Sequence, residues 1–360
     1  MRSLVAAALV VCAACAPGDR PIVFAAAAPW HDPVALGTRQ GIQLAVDEIN
    51  AAGGAGGQPI AIRWADDSGT GTHAAVVAES LVADRSVLAV IGHINSGAQV
   101  AAAHVYDGRV VALSSQATSP DLSGLSHWIY RVVSSDAANG AGLAHFAGTL
   151  GASRAAVLYE NDSYGRGLAG AFEHAFKGTI VASEPIAAAA PTYEPYVSYM
   201  RSLGPDVVFV AGLETSGLAV LREAKRQHLA VPFLGGDGWT GLADDAAVGE
   251  GAYIGTPFVA SDTRSEVVRF VHAFVTRYHE RPDEDAALAY DATRLLAAAV
   301  TARGADRRGI RSYLATLTQS KPFGGITGPI AFDSLGDPAG RQFVMTRMHA
   351  GAFVPLAGTQ

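Results

Sequence analysis

The sequence predicts an α/β protein with two similar lobes, each built around a parallel sheet. Apolar runs of strand length alternate with amphipathic stretches of helix length, which is the pattern of successive βαβ units. The alternation occurs in two series of about 115 residues each, and the chain of 360 residues is 49% hydrophobic and 16% charged. A chain of this length and composition folds and has room for two cores.

The first series begins with a predicted strand at 22–27 and continues with strands at 60–64, 88–91 and 110–113. Helices are predicted between them at 39–52, 73–83 and 99–106. The first helix places Ile42, Val46 and Ile49 at helical spacing and ends at a pair of glycines. We expect these elements to form the first lobe.

The second series has predicted strands at 129–133, 155–159, 180–183, 207–210 and 232–234, with helices at 137–150, 166–176, 193–203 and 216–228. After an apolar segment at 253–255, further helices are predicted at 266–279, 286–302 and 307–317, and strands at 330–332 and 342–349. The late helices would cover a sheet that is already formed, so we expect the chain to return to the first lobe. Several short crossovers of this kind favour hinge motion around a cleft.

The first 20 residues have the pattern of an export signal. Arg2 precedes an apolar stretch at 4–11 that is too short to span a bilayer as a helix. Small residues then precede Cys15, as in a bacterial lipobox, although Cys12 stands where a leucine is usual. This pattern predicts cleavage before Cys15 and lipidation of its thiol, and a plain signal peptide is the alternative. Both cysteines lie in this segment, so the mature part has no disulfide and no thiol or zinc site of its own.

The composition and motifs exclude several classes of function. The net charge is −7 and there is no run of Lys or Arg, so nucleic acid is not an expected partner. The chain has no GxSxG, HExxH or phosphate-binding loop, and a formal GxGxxG at 236–241 does not follow the first strand. We therefore predict no cofactor, no metal site and no enzymatic activity. The enzyme alternative rests on His93 near Ser96.

Hydroxyl side chains follow two successive predicted strands. Ligands of open parallel sheets bind beyond the carboxyl ends of the strands, where Ser96 and Thr118 stand. Ser96 also opens a helix, whose free N–H groups attract an anion such as a carboxylate. A plain helix cap and a plain turn are the alternatives for the two residues. Asp237, after the strand at 232–234, offers a carboxylate for an ammonium group.

Four segments together resemble the leucine/isoleucine/valine-type solute-binding proteins of ABC importers. They are GIQLAVDEINAAGG, IGHINSGAQVAAAHVYDGRVVALSSQATSPDLS, VLYENDSYGRGLAGAF and LREAKRQHLAVPFLGGDGW. The likeness covers nearly all of residues 22–350. It implies the type I periplasmic-binding fold, in which two lobes joined by three crossovers close on one amino acid. The expected lobes are 22–134 with 258–332, and 135–257 with 333–360, after a signal peptide at 1–14.

The resemblance implies roles for the residues at the strand ends of the first lobe. Ser96 would donate its hydroxyl and N–H to the α-carboxylate of the ligand. Thr118 would contact both the carboxylate and the ammonium group. Gln116 and Ala117 would contribute backbone contacts near the ammonium group.

In the second lobe, the resemblance implies that Tyr164 closes over the ligand. Asp237 stands at the position of the acidic ammonium partner, which is usually Glu. The sequence departs from the family at Glu214, near the position of an aromatic residue, and Trp30 is the candidate for a second aromatic position. Glu214 beside Asp237 would favour a polar, amide or basic amino acid, unless Glu214 points to solvent.

The resemblance implies an exported, lipid-anchored, monomeric protein of the bacterial periplasm. It would capture a small α-amino acid, branched-chain or related, and deliver it to an ABC permease. The alternative function is a sensor of the same fold that binds an amide, a basic amino acid or an aromatic acid and signals to a partner protein.

Overall fold

The computed structural model describes residues 20–341 and 343–356. The predicted signal segment and Cys15 lie outside the described residues. Among the helices of the described part, none is both long and apolar enough to cross a membrane.

Strands and helices alternate along the chain. The strands are β1 (Ile22–Ala28), β2 (Ile60–Asp66), β3 (Val87–Gly92), β4 (Val111–Ser114), β5 (Ile129–Arg131), β6 (Arg154–Glu160), β7 (Thr179–Ile186), β8 (Val207–Ala211), β9 (Phe233–Gly235), β10 (Tyr253–Thr256), β11 (Phe323–Gly325), β12 (Gly328–Ile330), β13 (Val344–His349) and β14 (Ala352–Pro355). The helices are α1 (Leu36–Ala51), α2 (Gly71–Ala83), α3 (Ser96–Tyr106), α4 (Asp136–Thr149), α5 (Ser163–Ala175), α6 (Glu194–Leu203), α7 (Glu214–Arg226), α8 (Ala246–Gly249), α9 (Ser265–Tyr278), α10 (Glu284–Arg303) and α11 (Arg307–Leu314).

The first lobe is built on a parallel sheet of five strands in the order β2-β1-β3-β4-β5. Side chains of β1 alternate between two cores, with Phe24 and Ala26 on one face and Ala25 and Ala27 on the other. Helices α1, α10 and α11 cover the first face, and α2 and α3 cover the second. Because both faces are covered, the inner strands β1 and β3 are apolar throughout rather than alternating, whereas the edge strand β2 carries Arg63 and Asp66.

The second lobe contains a sheet of seven strands in the order β14-β13-β10-β9-β8-β6-β7. Helices α6 and α7 pack on one face, and α4 and α5 on the other. The two-lobed α/β fold predicted from the sequence is confirmed. The sheet of this lobe is parallel through β9, β8, β6 and β7, and the late strands β13 and β14 are added to it in antiparallel pairing. A chain that returns from the first lobe can add strands at a sheet edge in either direction.

The predicted strand at 330–332 is also displaced. The chain forms a two-stranded hairpin of β11 and β12, and β12 ends at Ile330. Phe332 instead makes an isolated antiparallel bridge to Pro338. Ile330 and Phe332 pack in the first core. The apolar pattern at 330–332 therefore correctly indicated burial, although the strand ends at Ile330.

Three segments join the lobes, after β5, after β10 and after β12. A buried ion pair ties the first of them to the third, since the Arg131 guanidinium lies 2.7 Å from the Asp337 carboxylate. Arg131 also donates to the carbonyl oxygens of Thr118 and Ser119, at 2.7 and 2.8 Å. One guanidinium therefore holds two crossovers and the loop after β4 together.

The contact between α1 and α10 depends on a glycine. A Cβ atom on Gly41 would lie 2.1 Å from the carbonyl oxygen of Ala286, which is backbone and cannot swing away. We expect Gly41→Ala to cost about 1–3 kcal/mol of stability through overpacking. The exposed helical Gly170 has no atom within 4 Å of its Cβ position, and Gly170→Ala should stabilise by about 0.5–1 kcal/mol. Urea unfolding of Gly41→Ala and Gly170→Ala measures both changes in stability. Equal changes for the two variants would contradict these expectations.

Candidate functional site

A cavity of about 1020 Å³ lies between the two lobes. Ser96, at the start of α3, and Gln116, after β4, belong to its first-lobe wall. Tyr164, Glu214 and Asp237 belong to its second-lobe wall. The carboxyl ends of strands from both sheets thus meet at one cleft, as expected for parallel sheets.

The loops after β3 and β4 are joined through Ser96. Its Oγ accepts hydrogen bonds from the backbone N–H groups of Thr118 and Ser119, both at 3.2 Å. The cap of α3 is Asn95 and not Ser96, and the Asn95 side chain makes no capping hydrogen bond. The hydroxyl of Ser96 therefore positions the neighbouring loop, and the first N–H groups of α3 stand at the cavity wall without intrahelical partners.

The other first-lobe residues lie at different depths. Gln116 reaches the cavity, and its amide donates to the hydroxyl of Thr38. Ala117 is fully buried, with its N–H bonded to Ser114 Oγ at 2.9 Å. Thr118 is also fully buried, and its Oγ1 meets no described group in full hydrogen-bonding geometry, although it lies near enough to the Asp136 carboxylate to favour the charged form of that group. A buried hydroxyl without a full hydrogen bond is costly, which indicates that Thr118 is built to meet another group.

Tyr164 and Asp237 form the hydrogen-bonded pair of the second-lobe wall. The Tyr164 hydroxyl donates to Asp237 Oδ1 at 2.9 Å and accepts from the N–H of Gly238 at 3.1 Å. Asp162 caps α5 by accepting from Gly165 N at 2.8 Å, which sets the first turn that carries Tyr164. Burial raises the pKa of Asp237, and burial with the neighbouring Asp237 raises that of Tyr164. The tyrosine is therefore a neutral donor that orients the carboxylate.

Asp136 is a buried carboxylate beside the loop after β4 that the sequence analysis missed. The Thr118 hydroxyl lies near enough to favour its charged form, although no described group meets either carboxylate oxygen in full hydrogen-bonding geometry. Its N–H donates to the Thr118 carbonyl at 2.9 Å, and its pKa is raised well above the ordinary value by burial and then by the charge of Asp237. An aspartate in the first turn of a helix has an ordinary electrostatic explanation. The available signal was Ser135, which already caps α4 and leaves Asp136 without that role.

Glu214 and Trp30, which stand at or near the two aromatic positions of the family, differ in their relation to the cavity. Glu214 opens α7 and lies along the cavity wall, where its Oε2 would be 1.2 Å from a Cβ on Gly241. Trp30 packs edge-on against Trp64, with ring centroids 4.8 Å apart, and its Nε1 donates to the Ala65 carbonyl at 2.9 Å. Trp30 is not among the residues that line the cavity.

His93 is held inside the first lobe. It is fully buried, with Nδ1 2.5 Å from Asp67 Oδ2 and Nε2 2.9 Å from the Tyr106 hydroxyl. Both ring nitrogens are thus engaged away from Ser96, and His93 is not placed to act as its base.

Comparison with known proteins identifies the family of this two-lobed cleft. Residues 30–352 match the family model described as periplasmic binding protein. Leu/Ile/Val-binding protein homolog 1 of Brucella abortus (strain 2308) is 27% identical over 336 residues, which cover 87% of this chain and 86% of the relative.

Two solved structures extend the comparison to the fold. The ABC transporter substrate-binding protein of Desulfitobacterium hafniense in complex with Leu is 31% identical, with a TM-score of 0.82 and coverage of 94% of this chain and 100% of that one. The branched-chain amino acid transporter substrate-binding protein LivJ of Streptococcus pneumoniae, in complex with isoleucine, is 26% identical, with a TM-score of 0.84 and coverage of 93% and 98%. The resemblance read from the four sequence segments is confirmed, and the chain belongs to the periplasmic binding protein family.

Proposed function

We propose that this protein captures a small α-amino acid outside the cytoplasm by closing its two lobes over the ligand, and that it delivers the ligand to an ABC importer. One observation carries the proposal. The N-terminus of α3 with the Ser96 hydroxyl stands on one side of the cleft, and the half-buried carboxylate of Asp237 stands on the other. A zwitterion has the complementary pair of charges.

The α-carboxylate of the ligand binds at the start of α3. The N–H groups of Ser96 and Gly97 stand at the cavity wall, where the partial positive charge of the helix end attracts an anion. The hydroxyl of Ser96 accepts two backbone hydrogen bonds, so its own proton is free to be donated toward the carboxylate. The Thr118 hydroxyl, which lacks a full hydrogen bond, supplies a second donor.

The α-ammonium binds between Asp136 and Asp237. Each carboxylate is desolvated, and burial together with the charge of Asp237 raises the pKa of Asp136. An ammonium between them replaces this repulsion with charge-assisted hydrogen bonds. The Tyr164 hydroxyl keeps one oxygen of Asp237 engaged and leaves the other for the ligand.

Closure of the lobes excludes water from both ends of the ligand. At the mouth of the cleft, α5 approaches the first lobe so closely that a Cβ on Gly167 would lie 2.6 Å from Pro120 Cδ. Exclusion of water strengthens the interactions of both charged groups. The proposed moving bodies are residues 22–134 with 258–332, and 135–257 with 333–360.

The Leu- and isoleucine-bound relatives and the transporter names they carry support the ligand class and the importer. The proposed cellular setting follows from the sequence. A lipid on Cys15 tethers a monomer in the bacterial periplasm, where it meets the membrane permease. Labelling of the expressed protein with a radioactive or alkynyl fatty acid, with Cys15→Ser as the control, tests the anchor.

Thr118→Val should weaken amino acid binding without harming the fold. Loss of one hydrogen bond to a charged group costs about 1.5–3 kcal/mol, or roughly 10- to 150-fold in affinity. The melting temperature of the free protein should stay equal or rise, because the hydroxyl lacks a full hydrogen bond there. Calorimetry checks this with the L-α-amino acid that gives the largest thermal shift in a full panel, since a ligand at 100 times its Kd stabilises by about 2.7 kcal/mol.

The matched control is Thr149→Val, on the exposed end of α4, which should leave the affinity unchanged. The panel also includes amides and aromatic acids. A shift in melting temperature with a ligand that lacks an ammonium group, and with no α-amino acid, would overturn the proposed recognition.

A further inference from the structure

His93 is a fully buried histidine that follows β3, and it is not among the residues that line the cavity. A buried polar ring costs free energy unless its nitrogens are hydrogen-bonded. Its Nδ1 lies 2.5 Å from Asp67 Oδ2, and its Nε2 lies 2.9 Å from the Tyr106 hydroxyl. Both nitrogens are thus engaged, and the ring is held in one orientation from two sides.

The two partners determine the tautomer of the ring. A carboxylate accepts hydrogen bonds, so the proton of the His93 ring belongs on Nδ1, which faces Asp67. Burial and then the charge of Asp67 raise the pKa of Tyr106, so its hydroxyl stays protonated and donates to Nε2. In this tautomer one ring nitrogen donates a hydrogen bond and the other accepts one.

Asp67 connects the ring to the loop after β2. This carboxylate is also fully buried, and its Oδ1 accepts from the N–H of Gly69 at 2.8 Å. The carbonyl oxygen of Asp67 accepts from the N–H of Thr70 at 3.2 Å. Gly69 and Gly71 belong to the cavity wall. The group that holds the imidazole therefore also shapes a loop at the cleft.

The carbonyl group of His93 connects the same residue to the loop after β4. It accepts from Ser114 Oγ at 2.8 Å, and Ser114 Oγ in turn accepts from the N–H of Ala117 at 2.9 Å. Ser114 is 1% exposed and is not among the cavity residues. The loop that it holds carries Gln116 at the cavity wall and then Thr118.

The loop after β3 is anchored at the same point. The N–H of His93 donates to the side-chain oxygen of Gln99 in α3. Residues 94–97 follow His93 directly, line the cavity and include the N–H groups proposed to bind the α-carboxylate. The ring, the N–H and the carbonyl of one residue thus join three loops of the first-lobe wall.

A fixed arrangement of these loops affects affinity without any contact between His93 and the ligand. A preformed site binds more tightly because less conformational freedom is lost on binding. The apparent dissociation constant is the intrinsic constant divided by the fraction of protein in the binding-competent arrangement. A loosened loop lowers this fraction and weakens binding. A histidine that merely filled the core would affect stability alone.

We infer that His93 is a positioning residue for ligand recognition, whose imidazole, held between Asp67 and Tyr106, fixes the loops after β2, β3 and β4 in the arrangement that binds the ligand. The inference rests on the proposed function of the cleft. It gives His93 no contact with the ligand and no proton transfer.

Calorimetry on three variants tests the inference, with L-leucine or, if another L-α-amino acid gives a larger thermal shift, with that amino acid. His93→Asn keeps an N–H donor near Asp67 and gives up the contact with Tyr106. Tyr106→Phe leaves the ring without its second partner, and Ser114→Ala removes the link to Ala117. We expect each variant to bind roughly 2- to 13-fold more weakly than the wild type, which corresponds to the loss of one hydrogen bond.

The double variant His93→Asn/Ser114→Ala distinguishes a shared effect from two independent ones. Both residues fix the loop after β4, so we expect the double variant to bind about as weakly as the weaker-binding single variant. Additive losses would show that Ser114 acts on the loop without His93.

Two measurements on the ligand-free protein add readouts that do not depend on a ligand. The ¹⁵N chemical shifts of the His93 ring should show a proton on Nδ1 and none on Nε2. The N–H of Ala117 should exchange with solvent faster in His93→Asn than in the wild type, although its acceptor Ser114 is unchanged.

Gly41→Ala is the control for lost stability, since it disturbs the contact of α1 with α10 and no residue of this network. It should keep the wild-type affinity and the wild-type exchange rate of the Ala117 N–H. Melting curves establish that each variant is folded, and Tyr106→Phe replaces His93→Asn in every comparison if the latter does not fold.

Wild-type affinity of the folded variants, additive losses in the double variant, or a ring proton on Nε2 rather than Nδ1 overturns this inference and leaves the proposed function standing. If no α-amino acid binds the folded wild type, the proposed function itself fails. The exchange rate of the Ala117 N–H then still decides whether His93 fixes the loop after β4.

Discussion

Asp136→Asn should abolish tight amino acid binding and at the same time stabilise the ligand-free protein at neutral pH. Truncation of one partner of a buried charge pair costs about 2–5 kcal/mol of binding energy, which is roughly a 30- to 4000-fold loss of affinity. In the free protein, the same carboxylate is fully buried and is repelled by Asp237, and the Thr118 hydroxyl offsets this cost only in part, since no described group meets it in full hydrogen-bonding geometry. A neutral amide removes that cost.

The sign of the pH dependence distinguishes this account from a general effect of the substitution. Burial and Asp237 raise the pKa of Asp136 in the folded state above the ordinary value of about 3.9. Stability contributed by the protonated group is complete below that value and is lost as the pH rises through the folded-state pKa. The stability advantage of Asp136→Asn over the wild type should therefore be absent near pH 4 and grow at higher pH.

Urea unfolding at a series of pH values between 4 and 8 measures this difference. Asp245→Asn is a control without this pH dependence, because a hydrogen bond from Arg222 lowers the pKa of Asp245, so that its stability contribution changes only below about pH 4 and its difference from the wild type should stay nearly constant over the measured range. The other groups that face Asp136 are Arg131, Asp162 and the Thr118 hydroxyl, and they are unchanged in both variants. An Asp136→Asn protein that is less stable than the wild type at pH 7, or that binds amino acids normally, would contradict the role given to Asp136.

Arg131→Met should cause the largest loss of stability of any substitution outside the hydrophobic cores. The guanidinium is 2% exposed and pairs with Asp337 while donating to the carbonyls of Thr118 and Ser119. Removal of one partner of a buried ion pair costs about 3–5 kcal/mol, because the other charge and the carbonyls lose their partner. Chemical unfolding measures the loss.

The contrast is with Arg222→Met, which breaks the exposed pair of Arg222 with Asp245 at 2.8 Å. Pairs at the surface contribute about 0–1 kcal/mol, so this variant should unfold close to the wild type. The double variant Arg131→Met/Asp337→Leu should recover part of the loss, because the uncompensated carboxylate is gone. A similar small effect for both arginines would show that Arg131 does not hold the crossovers together.

Most strands and helices of the fold could be predicted from the sequence because their patterns are local. The strand predicted at 22–27 and the helix predicted at 39–52 correspond to β1 and α1, with boundaries shifted by a few residues. The antiparallel β13 could not be predicted in the same way. Its direction depends on how the chain returns from the first lobe to the edge of the second sheet, and no local pattern records that path.

Individual site residues were predictable to different degrees. Ser96 and Asp237 were found because each follows an apolar strand at the edge where ligands of parallel sheets bind. Trp30 was assigned from its position before the first helix, yet it packs against Trp64 because an indole gains more from that contact and from the Ala65 carbonyl. Asp136 was missed because it opens a helix, where an acidic residue needs no further explanation.

The sequence by itself determined that this protein has two α/β lobes and that hydroxyls and a carboxylate end their strands, because the periodicity of apolar residues and the order of strand ends are properties of the chain. Only the tertiary structure decided which of those groups meet. Asp136 and Asp237 lie far apart in the chain, and the charge of Asp237 raises the pKa of Asp136 only because α4 and the strand that precedes Asp237 pack into one core of the second lobe. Burial then removes the water that would have screened them, and this desolvation raises the pKa of both carboxylates.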